Sequence, residues 1–223
     1  MSSWPSTTSS SPLPLTIEVL HADEKLVLVN KPSGLLSVPG RGEDKQDCAS
    51  ARVQARFADA LIVHRLDMAT SGLLLLARGP EMQRQLSAAF AGREVHKRYE
   101  ALVSGLPERD EFEIALPLRT DWPNRPRQMV CLTEGKPSLT RVRVLSRDAV
   151  AQCSRLALEP VTGRSHQLRV HLQAAGHAIL GDALYASPAD QARAPRLMLH
   201  ACALSLPALG DCPARQFYCP PPF

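Results

Sequence analysis

The stretch His64-Arg65-Leu66-Asp67-Met68-Ala69-Thr70-Ser71-Gly72-Leu73 links two strongly apolar segments. Leu61-Ile62-Val63 precedes it, and Leu73-Leu74-Leu75-Leu76-Ala77 continues from it. Short apolar runs on either side of a glycine-containing turn are typical of buried strands. The polar cluster, with a guanidinium and a carboxylate two residues apart, is therefore predicted to lie in a loop between two core strands. A loop held by a rigid scaffold is a favoured place for chemistry.

The composition is that of a folded protein with a mild positive charge. A length of 223 residues suffices for one large domain or two small lobes. A hydrophobic content of 44% excludes disorder throughout the chain. The net charge of +4 permits a polyanionic partner without requiring one.

The cysteines give no sign of a metal site or a disulfide framework. They form no C-x-x-C pair, and no Cys/His spacing is typical of zinc, so we expect no bound metal. Scattered thiols without a secretory signal indicate a reducing cytoplasm, and the apolar runs are too short to span a membrane. The six thiols belong to Cys48, Cys131, Cys153, Cys202, Cys212 and Cys219.

The rest of the chain predicts many strands and few helices. Residues 1–14 are rich in Ser, Thr and Pro, so we expect a disordered arm over 1–15 and one domain over 16–223. Strands and helices do not alternate regularly, which favours an α+β fold with a mixed, mostly antiparallel sheet and flanking helices. Strands are expected near 17–20, 26–30, 61–63, 73–77, 95–103, 138–146, 153–159, 197–205 and 214–219, helices near 48–58, 80–91 and 165–175, and a loop over 117–127.

Asp67 is open to two interpretations from its spacing alone. A short polar side chain ahead of Thr70 and Ser71 commonly caps a turn, and the spacing by itself favours that structural role. The alternative is a carboxylate placed for catalysis at the edge of the core.

The sequence around Asp67 resembles the nucleophile loop of the pseudouridine synthases, enzymes that isomerise uridine within RNA. Three further segments match that family in the same order along the chain: Asn30-Lys31-Pro32-Ser33-Gly34, Lys97-Arg98-Tyr99-Glu100-Ala101 and Gly163-Arg164-Ser165-His166-Gln167-Leu168-Arg169-Val170-His171. The resemblance extends over roughly residues 17–222. It implies the pseudouridine synthase fold, with a catalytic cleft and residues 16–223 as the catalytic domain.

The implied reaction needs no cofactor. The bond from ribose C1′ to uracil N1 breaks, the base turns, and a bond to C5 replaces it. An ionised carboxylate can act as the nucleophile or stabilise the electron-poor sugar, and the resemblance assigns this role to Asp67. The residues leave open whether Asp67 attacks C1′, adds to the base, or stabilises an eliminated intermediate.

The resemblance also assigns roles to residues elsewhere in the chain. Arg164 is expected to keep Asp67 ionised, although a surface arginine or a phosphate contact is the structural alternative. Tyr99 is expected to stack on the target uracil and to assist loss of the C5 proton, and its alternative is half-buried packing. Leu168 is expected to pack in the pocket.

Arg65 and His64 are expected to bind substrate beside Asp67. A uridine in a folded loop must flip out of its stack, which costs a few kcal/mol. The planar guanidinium of Arg65 can occupy the vacated space, or alternatively contact phosphate at the rim. We interpret His64 as orienting the loop rather than taking part in the chemistry.

The segment Pro117–Arg127 is basic, with Trp122 at its centre. By itself it indicates a solvated loop, whereas in an RNA enzyme its cations would contact phosphate and Trp122 would stack on a base. The residues expected to contact RNA are Trp122, Arg119, Arg125, Arg127 and Arg169.

A narrower branch of the family is similar in Asp121-Trp122-Pro123-Asn124-Arg125-Pro126-Arg127-Gln128 and in Ser37-Val38-Pro39-Gly40-Arg41. That branch acts on a uridine in a tRNA anticodon loop and on one in a hairpin loop of 23S rRNA. Its members lack a separate N-terminal RNA-binding domain, and we expect none here. We also expect a monomer with tRNA and 23S rRNA stem-loops as its partners.

Two other functions remain open. A non-catalytic RNA-binding protein on the same fold would not need Asp67, Tyr99 and Arg164 together. A nucleosidase or glycosidase would need a second acid near Asp67, for which Glu100 and Asp182 are the candidates.

Overall fold

The computed structural model describes residues 16–223, and the predicted arm over 1–15 lies outside them. The strands are β1 (Glu18–Ala22), β2 (Leu26–Lys31), β3 (Ala60–Ile62), β4 (Ser71–Arg78), β5 (His96–Ser104), β6 (Glu111–Ile114), β7 (Leu118–Thr120), β8 (Gln128–Val130), β9 (Thr140–Asp148), β10 (Cys153–Pro160), β11 (Leu199–Leu206) and β12 (Arg215–Tyr218). The α-helices are α1 (Ala49–Gln54), α2 (Gly79–Gly92), α3 (Gln167–Ala174) and α4 (Pro188–Ala192), and Glu43–Lys45 forms a short 3-10 helix.

A ten-stranded sheet forms the main part of the fold. Its strands follow the order β1-β2-β4-β11-β5-β10-β9-β6, with β12 beside β11 and β3 beside β4. Strands β4 and β11 run parallel, and the other paired strands of this sheet run antiparallel. Strands β7 and β8 form a separate hairpin. The predicted α+β class with a mostly antiparallel sheet is confirmed.

Strand β4 supplies both hydrophobic layers of the core. Leu75 packs in one buried cluster with Leu86 of α2. Leu74 packs in a second cluster with Val53 of α1. Because successive side chains of a strand point to opposite faces, one uninterrupted apolar run serves helices on both sides of the sheet.

Gly72 is required by the close approach of β11 at the start of β4. Its φ is 111°, and a Cβ at this position would lie 2.4 Å from the carbonyl oxygen of Ala201. Only glycine tolerates both the positive φ and the contact. Gly72 therefore allows β4, which follows the Asp67 loop, to begin directly beside β11.

The predicted strands and helices are present within a few residues of their expected ends, except for the segment 117–127. This segment was expected to be a loop, but its early residues form β7, which pairs with β8 just beyond it. β8 supplies the backbone hydrogen-bond partners of β7. The proline-rich composition of the segment favoured a loop and gave no indication of this pairing.

In the residues that the structure describes, none of the helices has the length and apolar character needed to cross a membrane.

Candidate active site

A cleft with a volume of about 950 Å³ opens beside the loop that joins β3 to β4. The loop contributes Asp67, β5 contributes Tyr99, and the start of α3 contributes Leu168. The β7–β8 hairpin and the end of α2 complete the lining. The sheet therefore brings together segments that are distant in sequence.

Backbone carbonyls of the Asp67 loop are held by the segment that follows β2. Ser33 Oγ donates to the carbonyl of Ala69 at 2.6 Å, and Ser37 Oγ donates to that of Leu66 at 2.7 Å. Such contacts on both sides of Asp67 fix the loop and explain why the Asn-Lys-Pro-Ser-Gly segment accompanies it.

Lys31 lies fully buried beneath the same loop. Its Nζ donates to the carbonyls of Pro32, Leu35 and Met68 at 2.9, 2.7 and 3.1 Å. Burial lowers the pKa of Lys31 to about 7, against the opposing effect of the Asp67 carboxylate. Lys31 therefore binds the Asp67 loop from inside the protein through the carbonyl of Met68, and it does not line the cleft.

Arg169 is the guanidinium that faces Asp67. Its Nη1 lies 3.5 Å from Oδ2 of Asp67. Its Nε and Nη2 donate to the two carboxylate oxygens of Asp182 at 2.8 and 2.7 Å. Arg169 is 4% exposed and Asp182 1%, so the fork is held rigidly inside the protein.

This geometry corrects two predictions for the third motif. Arg164 was expected to face Asp67, but it is exposed, and its Nε lies 3.4 Å from the carbonyl of Pro137. Arg169 was expected to contact phosphate, but it is buried between two carboxylates. The reason is that Arg164 precedes α3, whereas Arg169 lies within the helix on a face turned toward the Asp67 loop.

His166 and Tyr185 form a second polar connection to Asp67. Tyr185 Oη accepts a hydrogen bond from the backbone N–H of Gln128 at 2.7 Å and lies 2.6 Å from Nδ1 of His166. The phenol proton is then free to be donated to Nδ1, which assigns the imidazole proton to Nε2. That atom lies 3.9 Å from Oδ2 of Asp67.

The electrostatics of His166 agree with this arrangement. Burial lowers the pKa of the imidazole, and the charge of Asp67 partly opposes that effect. His166 also adopts a left-handed backbone conformation, with φ of 52°, at the start of α3. A non-glycine residue in this region carries strain that the surrounding contacts must offset.

Tyr99 and Leu168 lie where the resemblance placed them. The Tyr99 ring lines the cleft and packs against two buried clusters of the core. Burial, together with the charge of Asp67, raises the pKa of Tyr99 above its usual range, so the phenol stays neutral. Leu168 is buried and also lines the cleft. Both side chains therefore form part of the wall of the cleft.

His64 is held by the core, and Arg65 is exposed on the cleft. Nε2 of His64 accepts the backbone N–H of Leu75 at 2.9 Å, and its ring stacks on Phe90 with centroids 4.7 Å apart. Burial lowers the pKa of His64 to about 3. Arg65 lines the cleft without such restraint. The two neighbours therefore differ in their surroundings: His64 is fixed by contacts with β4 and α2, whereas Arg65 is exposed on the cleft.

The β7–β8 hairpin separates its basic residues into different environments. Arg125 is exposed, lines the cleft, and places its Cζ 4.7 Å from the centre of the Trp122 ring. Arg119 is paired with Glu134, and Arg127 packs over Tyr185 with 5.4 Å between Cζ and the ring centre. Of the hairpin residues expected to contact RNA, which are Arg119, Trp122, Arg125 and Arg127, only Arg125 lines the cleft. The expected phosphate contact of Arg119 is weakened because Glu134 already neutralises its charge.

The described lining of the cleft is strongly cationic. Asp67 is its one carboxylate. Its arginines and lysine are Arg65, Arg93, Lys97, Arg125, Arg164 and Arg169. Within residues 16–223, no group of three or more His, Cys, Asp or Glu side chains is placed to hold a metal ion. The described lining therefore combines one carboxylate with an excess of cations.

Several of these residues were not predicted from the sequence. Asp182 was considered only as a second acid, yet it is bound by Arg169 and by the backbone N–H groups of Leu184 and Tyr185. Arg169 lies between Leu168 and Val170 in a predicted helix, and an arginine that such a helix buries requires a carboxylate partner. Its apolar neighbours are the signal that could have identified it. No local signal marked Tyr185.

Comparison with known proteins gives a consistent result. The model of the RNA pseudouridylate synthase family matches residues 25–174. Two relatives are called dual-specificity RNA pseudouridine synthase RluA. The one from Escherichia coli K12 is 50% identical, covering 86% of this chain and 89% of its own. The one from Vibrio cholerae is 51% identical, covering 84% and 76%.

Solved structures show the same relationship. The human protein RNA Pseudouridylate Synthase Domain Containing 1 superimposes with a TM-score of 0.80 and 29% identity, over 96% of this chain and 87% of the other. Human RNA Pseudouridylate Synthase Domain Containing 4 gives a TM-score of 0.72 and 27% identity, over 92% and 88%.

Proposed function

Because this chain belongs to the RNA pseudouridylate synthase family, we propose that it converts uridine to pseudouridine in stem-loops of tRNA and 23S rRNA, with Asp67 as the catalytic carboxylate. One observation carries the residue assignment. Asp67 is the only carboxylate in the described lining of the cleft, and a buried guanidinium lies 3.5 Å behind it. The two-RNA specificity rests on likeness to the RluA enzymes of Escherichia coli and Vibrio cholerae.

The reaction places its main electrostatic demand beside Asp67. As the bond between ribose C1′ and uracil N1 breaks, the sugar becomes electron-poor and the base takes the electron pair. A fixed carboxylate near C1′ stabilises the sugar, either by forming a bond or by its charge. The base then turns, C5 bonds to C1′, and the C5 proton is released, so atoms and charge balance without a redox step. Nη1 of Arg169 and Nε2 of His166 face the Asp67 carboxylate, 3.5 and 3.9 Å from its Oδ2.

Tyr99 serves as the stacking surface in this proposal. Its ring faces the cleft from a core strand, and its raised pKa keeps the hydroxyl protonated. A neutral phenol is a poor acceptor for the C5 proton, which favours stacking over a role as general base.

Arg65 is the residue we assign to stabilising the flipped-out conformation. It is exposed at the mouth of the cleft, two residues before Asp67. A planar guanidinium at this position can stack where the uridine has left the RNA loop.

The alternative of a two-carboxylate hydrolase receives little support from the geometry. Such an enzyme needs a second carboxyl group about 5–10 Å from the first, with access to substrate. Asp182 is buried and bound bidentately by Arg169, and Glu100 pairs with Arg155 at 3.4 Å. Neither carboxylate lines the cleft.

The test of the proposal is the variant Asp67→Asn on a tRNA anticodon stem-loop that carries tritium at uridine C5. Asparagine keeps the shape of the side chain and removes its charge, so we expect tritium release to fall by about 10,000-fold or more. Binding of the stem-loop should persist, which filter binding or fluorescence anisotropy would measure.

Glu108→Gln is the matched control, because Glu108 is an exposed acid that does not line the cleft. Turnover by the asparagine variant within tenfold of the wild type would remove Asp67 from the chemistry. Free uracil in place of pseudouridine in the wild-type product would show a hydrolase instead.

A further inference from the structure

The end of helix α2 places two cations on the cleft that sequence analysis did not assign. Arg93 follows the helix directly, and Lys97 lies at the start of β5. Both side chains belong to the lining of the cleft, as does Phe90 from the last turn of α2. The α2–β5 connection is thus part of the wall that surrounds the substrate space.

Neither cation is neutralised by the described part of the protein. Within residues 16–223, neither Arg93 nor Lys97 forms an ion pair. Lys97 is partly buried, with its Nζ 5.9 Å from the centre of the Phe90 ring. Burial and then the charge of Arg93 lower the pKa of Lys97. Lys97 is thus a partly buried cation with an exposed cation nearby, and an anion beside both would stabilise the charge of Lys97.

The backbone of Arg93 carries a second cost. Its φ is 63°, in the left-handed region, where it closes α2 by donating its N–H to the carbonyl of Phe90 at 3.3 Å. Glycine is the residue that suits this position of a helix end, and an arginine there is strained. The chain therefore carries a charged side chain where stability alone favours glycine.

The pair is also connected to the catalytic loop. Phe90 lies beneath Lys97 and stacks on His64. His64 precedes Asp67 by three residues, and its Nε2 accepts the backbone N–H of Leu75 in β4. An anion held by Arg93 and Lys97 would therefore lie on the same wall as the Asp67 loop.

We propose that Arg93 and Lys97 form a phosphate subsite that holds the RNA strand beside the flipped uridine. The ligand is a phosphodiester group, because two cations without a carboxylate, in a cleft lined by further arginines, match a polyanion. This inference rests on the proposed function, since RNA is the polyanion that this cleft would admit.

The experiment measures stem-loop affinity against salt concentration in the Asp67→Asn background, where turnover cannot interfere. The variants are Arg93→Gly, Lys97→Gln and the double variant. Each lost contact should lower the magnitude of the log–log salt slope by about 0.7 and weaken binding about fivefold at 0.1 M salt. The double variant should bind the stem-loop about 25-fold more weakly at 0.1 M salt.

Two controls separate contact from packing. Arg109→Gln removes one charge from an exposed residue that does not line the cleft, and its slope should match the parent. Lys97→Arg keeps the charge and should keep the slope. Arg93→Gly should not lower Tm, because glycine relieves the strained helix end. Weaker binding with an unchanged slope, or equal slopes in all variants, would overturn the subsite.

Failure of the proposed function gives a different result. If wild-type protein forms no pseudouridine in the stem-loop, the function is wrong whatever the slopes show. If the wild type turns over and both cation variants bind with the parental slope, the function stands and this subsite is wrong.

Discussion

Charged side chains are paired in the inner part of the cleft and unpaired in its outer part, within the described residues. We call Asp67, Arg169, Asp182, His166 and Tyr185 the inner network, because each contacts another member of the set. We call the cations around the opening, Arg65, Arg93, Lys97, Arg125 and Arg164, the outer rim. In the structure described over 16–223, the outer-rim cations form no ion pairs.

This difference separates positioning from binding. A buried charge needs a partner of opposite charge within the protein. The charged groups of the inner network are therefore paired with one another, and Asp67 is positioned before substrate binds. Most rim charges are exposed to solvent and need no protein partner, and Lys97, which is partly buried, is the exception. Variants of the inner network should therefore lose turnover and stability, whereas variants of the outer rim should lose affinity and salt dependence.

The strongest test of the comparison is Arg169→Met, which removes the centre of the inner network. Asp182 would remain buried without its partner, and Asp67 would lose its support, so we expect a loss of about 3–5 kcal/mol in unfolding free energy. Turnover should fall on the order of 100- to 1000-fold. Urea unfolding and tritium release measure the two effects. Arg169→Lys should recover little, because an ammonium cannot bind Asp182 bidentately and also reach Asp67.

Arg164→Gln is the matched comparison from the outer rim and the same motif. Its guanidinium is exposed, so we expect no loss of stability and at most about a fivefold loss of affinity. A large loss of turnover for Arg164→Gln with a small one for Arg169→Met would reverse the assignment of the two arginines.

A smaller effect is expected for Tyr185→Phe. The ring would still pack against Arg169, but the hydroxyl that links Gln128 to His166 would be lost. Leaving buried polar groups unsatisfied costs about 1–3 kcal/mol. We expect turnover to fall about tenfold with little change in KM.

The pKa of His166 gives a readout that simple destabilisation would not move. In the wild type, Nδ1 accepts the phenol proton, which disfavours protonation, so removing the hydroxyl should raise the imidazole pKa. An NMR titration of the folded variant measures it. A pKa that stays the same or falls would contradict the hydrogen-bond direction assigned here.

The fold was largely predictable because its centre is encoded locally. The apolar run of β4 and the glycine after Ser71 specify a buried strand and a close approach. The β7–β8 pairing was not predictable, because its hydrogen bonds come from a partner beyond the proline-rich segment.

The position of a residue in the cleft was predictable where its own motif marks it, as for Asp67 and Tyr99. The exchange of Arg164 for Arg169 shows the limit. Two arginines of one motif differ in position because one lies inside α3 and the other precedes it. Asp182, the partner of Arg169, follows the helix in a separate segment. Tyr185 was not predicted because its partners, Gln128 and His166, are also distant from it in the sequence.

The smallest expected effect concerns two arginines of the β7–β8 hairpin. Arg125 is exposed on the cleft and stacked on Trp122, whereas Arg119 is paired with Glu134 outside the lining. Changing either residue to glutamine removes one positive charge from the same hairpin, so the net charge of the protein changes equally. If phosphate contacts determine affinity, Arg125→Gln should weaken stem-loop binding about fivefold at 0.1 M salt and lower the salt slope by about 0.7. Arg119→Gln should then change the affinity less than twofold, because the charge it removes is already neutralised by Glu134. Equal losses in the two variants would mean that the overall field of the protein, rather than unpaired rim cations, attracts the RNA, and the distinction between inner network and outer rim would then explain turnover but not binding.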